Sequence, residues 1–464
     1  MYCDNDADAM LYQARFMIVL LGVGLGVMLF AWAYELFGYW IAVVVLALFA
    51  MEPNLLAHSS LVTTDLPITC FIFGTVYFLW RTTRRQSAGN LAGLISFFTL
   101  AHVTKFSAAP LGPMLFVLLV VAVCIRAIPP GRAALLLIGL TVITIFSVWA
   151  VYRFRYLPST SPSWRFEVHN DEGLMPRTPK LARLIGWIDQ HRLLPNAYTE
   201  GFLLGQAKAQ KRSAFFAGKF SEQGWWYFFP VAFAIKTPIA VVTLFVFGLG
   251  FCTKLRELWR NHIYILLPIV VFLGLGMLAK LNIGLRHVLP IYPFALLLAG
   301  VAFAKLTRKS WRGFLTVASV GMIISAAELI RIGPNHLAFF NQFVGGPANG
   351  YKWLADSNLD WGQDLKGLSH WMDDNRVGHI NLSYFGTADP AYYRINCTQI
   401  VGSPSFAKLE LPHLPGYVAV SITTLNGVYF NERQRALFRP LLERKPNARI
   451  GYSIHVYYVD RPWW

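Results

Sequence analysis

Ten long apolar runs fill the chain up to position 330, at 16–37, 39–51, 66–80, 88–103, 106–125, 133–152, 228–252, 262–279, 288–304 and 313–330. They are blocks, not period-2 alternations, so they predict membrane helices and exclude an outer-membrane barrel, whose strands alternate apolar and polar positions. A span needs about 20 residues. The 39–51 run falls short and reads as a span or a re-entrant segment, and the side assignment of the flanking charges favours a span. Past position 332 the pattern changes. SNLDWGQDLKGLSHWMDD has helical spacing, while INLSYFG (380–386), GYVAVSIT (416–423) and YSIHVYYV (452–459) read as strands. The predicted fold is an α-helical polytopic membrane bundle of about ten transmembrane helices over residues 1–332, with a small α/β domain over 333–464.

Composition agrees. Of 464 residues, 55% are hydrophobic and 14% charged, with a mean hydropathy of +0.46. The net charge of +17 invites a nucleic-acid reading, but much of it lies in short clusters between apolar runs. Arg81, Arg84 and Arg85 form one, Arg126 and Arg132 a second, Lys254, Arg256 and Arg260 a third, and Lys305, Arg308, Lys309 and Arg312 a fourth. If all ten runs cross, these clusters share one side, and the opposite short connections hold only Lys105, Lys280 and Arg286. The clustered side is therefore cytoplasmic. Segment 153–226 and everything after Ile332 are extracytoplasmic, and no nucleic-acid partner is expected. Segment 153–226 is rich in proline, aromatic and basic residues and ends in WWYFF (225–229), the signature of one or two helices lying in the outer interface among lipid headgroups. Cys3, Cys70, Cys124, Cys252 and Cys397 show no paired spacing and give neither a disulfide framework nor a zinc site.

The polar residues at the outer helix ends carry the candidate chemistry. Counting back about 20 residues from a cytoplasmic cluster reaches the outer boundary of the hydrocarbon core. From Arg126 the count ends beside Lys105, from Lys254 beside Lys236, and from Lys305 beside Arg286 and His287. In KTP (236–238), Thr237 suits an N-cap and Pro238 the first turn of a helix whose positive end faces outward. Cations and helix starts thus converge on the outer headgroup layer, an arrangement suited to an anionic phosphate. The competing reading makes each cation a snorkelling anchor.

One carboxylate, Asp65, lies in the same layer, within LLAHSSLVTTDLP. It serves either as a helix cap or through its charge, orienting an acceptor, holding a divalent cation or tuning the cations. His58, in the same stretch, is a weaker candidate of the same kind. No resident metal or cofactor is predicted. Asp356, Asn358 and Asp360 alternate as in a calcium loop, but Trp361 stands where that loop needs glycine and Gly367 where it needs glutamate. The preferred reading is a helix opened by Asp356–Asn358 that carries Asp360 and Asp364 on one face, close enough to the membrane to touch an acceptor. NLS at 381 and NCT at 396 match glycosylation sequons by pattern alone.

The order of EPNLLAHSSLVTTD, HVTKFSAAP, FPVAFAIKTP and GLRHVLPIYP along the chain resembles glycosyltransferase family 39, the dolichyl-phosphate-mannose-protein-mannosyltransferase-like enzymes of the GT-C fold. FNQFVGGPANGYKWLADSNLDWGQDLKGL, YFGTADPAYY and GYSIHVY resemble its bacterial branch. The resemblance implies an inverting transfer of one hexosyl or pentosyl unit from a polyprenyl-phosphate donor to an acceptor on the outer face of the bacterial inner membrane. It implies that Asp65 is the family's second acidic residue and that Lys105, Lys236, Arg286 and His287 line the phosphate pocket. The family's catalytic base lies in a loop after a first helix, and what resembles the second helix begins directly after MYCDNDADAMLYQARF. Asp4, Asp6 and Asp8 match the end of that loop and not its acidic motif. The expectation is a truncated start, with a naturally impaired form as the alternative, and MYCDNDADAM has no signal-peptide pattern. Two other classes stay open: a lipid-sugar transporter and a non-catalytic lipid-sugar-binding subunit. Segment 153–226 is too short for the β-trefoil insert of eukaryotic protein mannosyltransferases, so a protein acceptor does not follow.

Overall fold

The computed structural model of the protein describes residues 5–159, 164–252, 258–403 and 409–463. Cys3, Asp4, Lys254 and Arg256 lie outside them. Every apolar run is helical. The bundle comprises α1 (Ala7–Phe37), α2 (Tyr39–Ala50), α3 (Pro53–Ser59), α4 (Asp65–Arg84), α5 (Ala88–Thr104), α6 (Leu111–Cys124) and α7 (Pro130–Val151). After segment 153–226, with α8 (Pro179–Gln190) and α9 (Asn196–Ala209), come α10 (Phe228–Lys236), α11 (Ile239–Phe251), α12 (Ile263–Leu278), α13 (Ile291–Lys309) and α14 (Trp311–Ile332). Among the described residues six helices are long and apolar enough to cross a membrane, or seven if α2 and α3, bent by 63°, count as one span. The ten runs are thus not ten equivalent spans. α5 and α11 are shorter apolar helices, and the 228–252 run is two helices, because Pro238 lacks the N–H that would continue the ladder.

α4 and α13 form the interior. Both are buried around most of their circumference, whereas α7 buries only Ala133, Leu140, Thr144 and Val148 and leaves its remaining apolar surface outward. That contrast is expected of central and lipid-facing helices. α11 reaches α13 closely through Gly248, where a Cβ would run into the carbonyl oxygen of Leu298, the small-residue contact common between membrane helices. The two ends differ chemically. At one, Glu35 accepts from the Tyr77 hydroxyl at 2.8 Å and pairs with Arg81 at 3.6 Å, Arg84 donates to Asn261, and Lys305 and Arg308 stand nearby around a small pocket. The other end carries Asp65, Lys105, Arg286 and the contacts with the sheet domain described below.

The C-terminal domain is a five-stranded sheet in the order β4 (Cys397–Gln399), β3 (Ile380–Ser383), β5 (Gly416–Ser421), β7 (Ile454–Val459), β6 (Ala448–Ile450). A separate hairpin, β1 (Ala214–Phe216) with β2 (Lys219–Ser221), belongs to segment 153–226. β4, β3 and β5 run parallel, and β7 joins antiparallel. Alternation along the strands sends Leu382, Ala419 and Val456 to one face, against Leu365, Leu368 and Met372 of α15 (Leu365–Asp374). Val418, Val420, Tyr457 and Val459 face the other way and pack with Phe438 and Leu441 of α16 (Glu432–Leu442), in a core continuous with that of the bundle. The three strands read from the sequence are present. The short strands β4 and β6 and the hairpin give no pattern long enough to read.

Candidate functional site

Asp65 is the first residue of α4 and is 1% exposed. Thr64 occupies the cap position, and Pro67 falls in the first turn, where its missing N–H costs nothing. The Asp65 carboxylate makes no capping bond. Its Oδ1 lies 2.5 Å from Lys105 Nζ and its Oδ2 3.6 Å from an Arg286 terminal nitrogen. Capping is thus not what the carboxylate does, although it also sits favourably against the helix's positive end. Lys105 is held as the residue terminating α5. Arg286 stands on the 3-10 turn Leu285–Val288, which feeds α13. Two cations from separate turns at this end of the bundle therefore meet one buried carboxylate.

His58, on α3, is 3% exposed and lies in electrostatic range of Asp65, Arg286 and Lys105. His287 lies in range of the same three. Among the described residues His58 Nδ1, Arg286 Nε and His287 Nε2 are buried without a hydrogen-bond partner. Three unfulfilled nitrogens around one ion cluster are unusual for a purely structural site. Trp361, which carries no signal as a site residue in the sequence, supplies the floor: the Arg286 guanidinium lies 4.6 Å from its ring centroid. A cavity of about 540 Å³ opens beside the cluster, lined by His287, Lys280, Phe229, Phe272, Leu275 and Leu278 among others. A smaller one of about 280 Å³ lies against Lys105 with His102, Tyr152 and Tyr198.

Lys236 is brought elsewhere. It is 1% exposed, and its ammonium donates to the carbonyls of Leu337 (2.9 Å), Phe339 (3.1 Å) and Asn358 (2.5 Å), with the Phe340 ring 4.4 Å away. Its three protons are engaged, so the expected phosphate contact is replaced by a strut between the bundle and the chain entering the sheet domain. Thr237 does not cap either. Its hydroxyl pairs with Tyr292 at 2.9 Å, and Asn54 bridges Glu52 (2.8 Å) and the Lys236 carbonyl (2.6 Å). This Glu52–Asn54 pair, which no spacing in the sequence singles out, fixes α3 against the α10–α11 break.

Asp360 and Asp364 also depart from expectation. The helix begins at Leu365 and not at Asp356, so the two carboxylates precede it and share no helical face. Asp360 accepts from the backbone N–H of Gly362 (3.1 Å) and Thr423 (3.2 Å). Asp364 accepts from the Ser453 hydroxyl (2.6 Å). Burial pushes Asp360 up to about 7 and Asp364 up to about 6. Both bind the sheet domain together, and Trp361, next to Asp360 in the chain, is the residue that meets Arg286.

In segment 153–226 His169, Asp189 and Glu200 bring ligand atoms within 4.8 Å of one another, a grouping able to hold a cation that sequence spacing gives no means of finding. Hydrogen bonds already account for its closeness: His169 Nδ1 pairs with Glu200 at 2.5 Å, and Asp189 Oδ1 accepts from Tyr156 (2.6 Å) and Asn196 (2.9 Å). Burial raises the Glu200 carboxyl.

Residues 8–152 match the profile of a family described as dolichyl-phosphate-mannose-protein mannosyltransferase. The resemblance read from the motifs thus recurs, over that stretch, in an independent comparison. Among solved structures, ArnT from Cupriavidus metallidurans bound to undecaprenyl phosphate is similar at 14% identity and a TM-score of 0.46, over 96% of this chain and 83% of that one. ArnT from the same organism in the apo state gives 13% and 0.28 over the same shares. No curated protein sequence matches the chain.

Proposed function

We propose that the chain is a membrane glycosyltransferase that takes one sugar from a polyprenyl-phosphate donor and passes it, with inversion, to an acceptor at the extracytoplasmic face of a bacterial inner membrane. One observation carries the reading. Asp65 draws Lys105 and Arg286 together from two different turns, beside a largely apolar cavity that reaches the surface between α12 and the turn leading into α6. A lipid phosphate needs both parts, cations for the head and an apolar channel for the tail. The family matched by residues 8–152 names a donor of that class.

In an inverting transfer an acceptor hydroxyl attacks the anomeric carbon while the bond from that carbon to the phosphate oxygen breaks, and the hydroxyl's proton passes to water or to the departing phosphate. Negative charge then grows on the departing phosphate. Lys105 and Arg286 are placed to stabilise it, and such preorganised charge is usually the largest contribution to rate. Asp65 acts as the positioning residue, holding two mutually repelling cations at one point until the phosphate arrives. Arg286 Nε, and His287 Nε2 in the tautomer that carries its proton there, offer the donors that are unfulfilled without it. The cluster lies at one end of the bundle rather than near mid-membrane, which disfavours the transporter reading.

The test is binding of a short-chain polyprenyl phosphate to the full chain in lipid nanodiscs. Arg286→Gln should weaken it by roughly ten- to a hundredfold, the loss of one charge-assisted contact. Equal binding by wild type and variant would remove Arg286 from the donor pocket and the reading with it.

A further inference from the structure

The sheet domain has a crevice of about 380 Å³ that the donor chemistry does not use. It lies beyond the carboxyl ends of the three parallel strands. Tyr384 and Phe385 follow β3, Gly402 and Ser403 follow β4, and Thr423 and Thr424 follow β5. β3 passes on to β4 on one side, whereas the chain after β5 leads to β6 and β7 on the other. Open parallel sheets bind ligands where successive connections diverge in this way. The volume is that of a small-molecule site.

The lining decides the ligand's class. Phe385 and Tyr429 both line the crevice, their rings stacked on one another to within 7° at a centroid distance of 6.1 Å. The Tyr429 hydroxyl bonds to Asp356 and accepts from Arg212 at 3.1 Å, so this ring is fixed before any ligand arrives. Thr423 and Thr424 bring hydroxyls, that of Thr423 buried without a hydrogen-bond partner, and Gln434 brings its amide nitrogen, its oxygen accepting from the Asn431 N–H, while the Ser403 hydroxyl is engaged with Leu382 and Tyr384. Among the described lining residues the side chains are neutral, and the charged neighbours Arg212 and Asp356 are engaged with the Tyr429 hydroxyl. Flat aromatic faces suit the apolar C–H face of a sugar ring, and groups that both donate and accept suit its hydroxyl rim.

We infer that this crevice binds a neutral sugar ring of the acceptor glycan. Sugar binding stands on the crevice alone, and only its assignment to the acceptor rests on the transferase reading. The location fits: Thr423, in the crevice wall, donates its N–H to Asp360, and the next residue, Trp361, lies under Arg286. A glycan held here lies on the domain that floors the proposed donor site.

The experiment is saturation-transfer NMR on the full chain in nanodiscs, with the methyl glycosides of mannose, glucose, galactose and N-acetylglucosamine at millimolar concentration. At least one should receive saturation, strongest at its ring C–H protons. Phe385→Ala should weaken that binding by roughly tenfold through loss of one aromatic face, and Thr424→Val should weaken it in the same direction. If Phe385→Ala fails to fold, Phe385→Leu keeps apolar volume without the flat face and should show the same loss. The inference is overturned if no glycoside binds, if the variants bind as wild type does, or if a polyprenyl phosphate displaces the glycoside. Polyprenyl phosphate binding, measured separately on wild type, separates the two readings. A protein that binds the glycoside and no lipid phosphate keeps the crevice and loses the transferase; the reverse result keeps the transferase and loses the crevice.

Discussion

Replacing Lys236 by methionine keeps a straight side chain of similar volume and removes the three donors that the Leu337, Phe339 and Asn358 carbonyls accept from. Each buried acceptor left unmatched costs about 1 to 3 kcal/mol. The ammonium's own desolvation, which the substitution relieves, offsets part of that sum. A net loss of about 3 kcal/mol is expected, borne by the segment that docks on the bundle, and it corresponds to a roughly 150-fold larger open population. Limited proteolysis of the nanodisc-embedded chain reads that population when reclosing outpaces cleavage. Cleavage between 334 and 361 should accelerate by about two orders of magnitude. Unchanged protease resistance together with lost binding of a polyprenyl phosphate would refute the reasoning and return Lys236 to the phosphate pocket.

Asp65→Asn preserves the shape of the helix start and removes the charge that gathers Lys105 and Arg286; transfer should fall by about 2 kcal/mol in the barrier, some thirtyfold, and full activity in a sugar-transfer assay would reduce Asp65 to a helix-terminal residue. Trp361→Ala removes the ring beneath Arg286, worth about 1 to 2 kcal/mol where partly desolvated; a titration showing no change in lipid-phosphate affinity would dismiss that contact. Asp360 and Asp364 hold protons in the folded domain up to about 7 and about 6, against 3.8 for the free carboxyl. Their stabilisation is therefore complete below the free value and is lost as pH rises through 6 and 7, at about 1.4 kcal/mol per unit for each group. Thermal unfolding of the sheet domain should come later at pH 5 than at pH 8 and depend less on pH in Asp360→Asn, and a domain more stable at pH 8 would contradict this. Cysteine labelling near Lys352 on sealed cells should succeed without permeabilisation, as the charge asymmetry requires.

Hydropathy locates the apolar helices because a bilayer leaves backbone polar groups no partner outside a helix. It separates the strongly apolar α7 from α4, which carries Asp65, Arg81 and Arg84 at its ends and is not apolar enough over its length to stand among the six spanning helices, but only packing shows that α4 is enclosed on nearly every side. Lys105, Arg286 and Asp65 are legible as charges at one depth. Their contact is not, since Lys105 lies 40 positions from Asp65 and Arg286 much farther along the chain, beyond the whole of segment 153–226. Lys236 escapes the same reasoning because depth alone cannot say whether an ammonium meets solvent, phosphate or carbonyls. Asp360 and Asp364 imitate an i, i+4 pair, yet the helix starts one residue after the second of them. Trp361 gives no signal: a tryptophan at an interface is ordinary until a guanidinium is found above it.

The seam between bundle and sheet domain has a consequence for descent. Lys236 spends its donors on backbone from the far side of that seam, Asn358 accepts from the Leu285 N–H, and Gly284 has no room for a side chain beneath Ser357. A lineage that exchanged its sheet domain for an unrelated one would strand an ammonium inside the bundle and leave the Arg286 turn unpropped. Recombination breakpoints should therefore avoid the stretch from 332 to 361, and the two parts should travel through gene duplication and fusion as a single heritable piece.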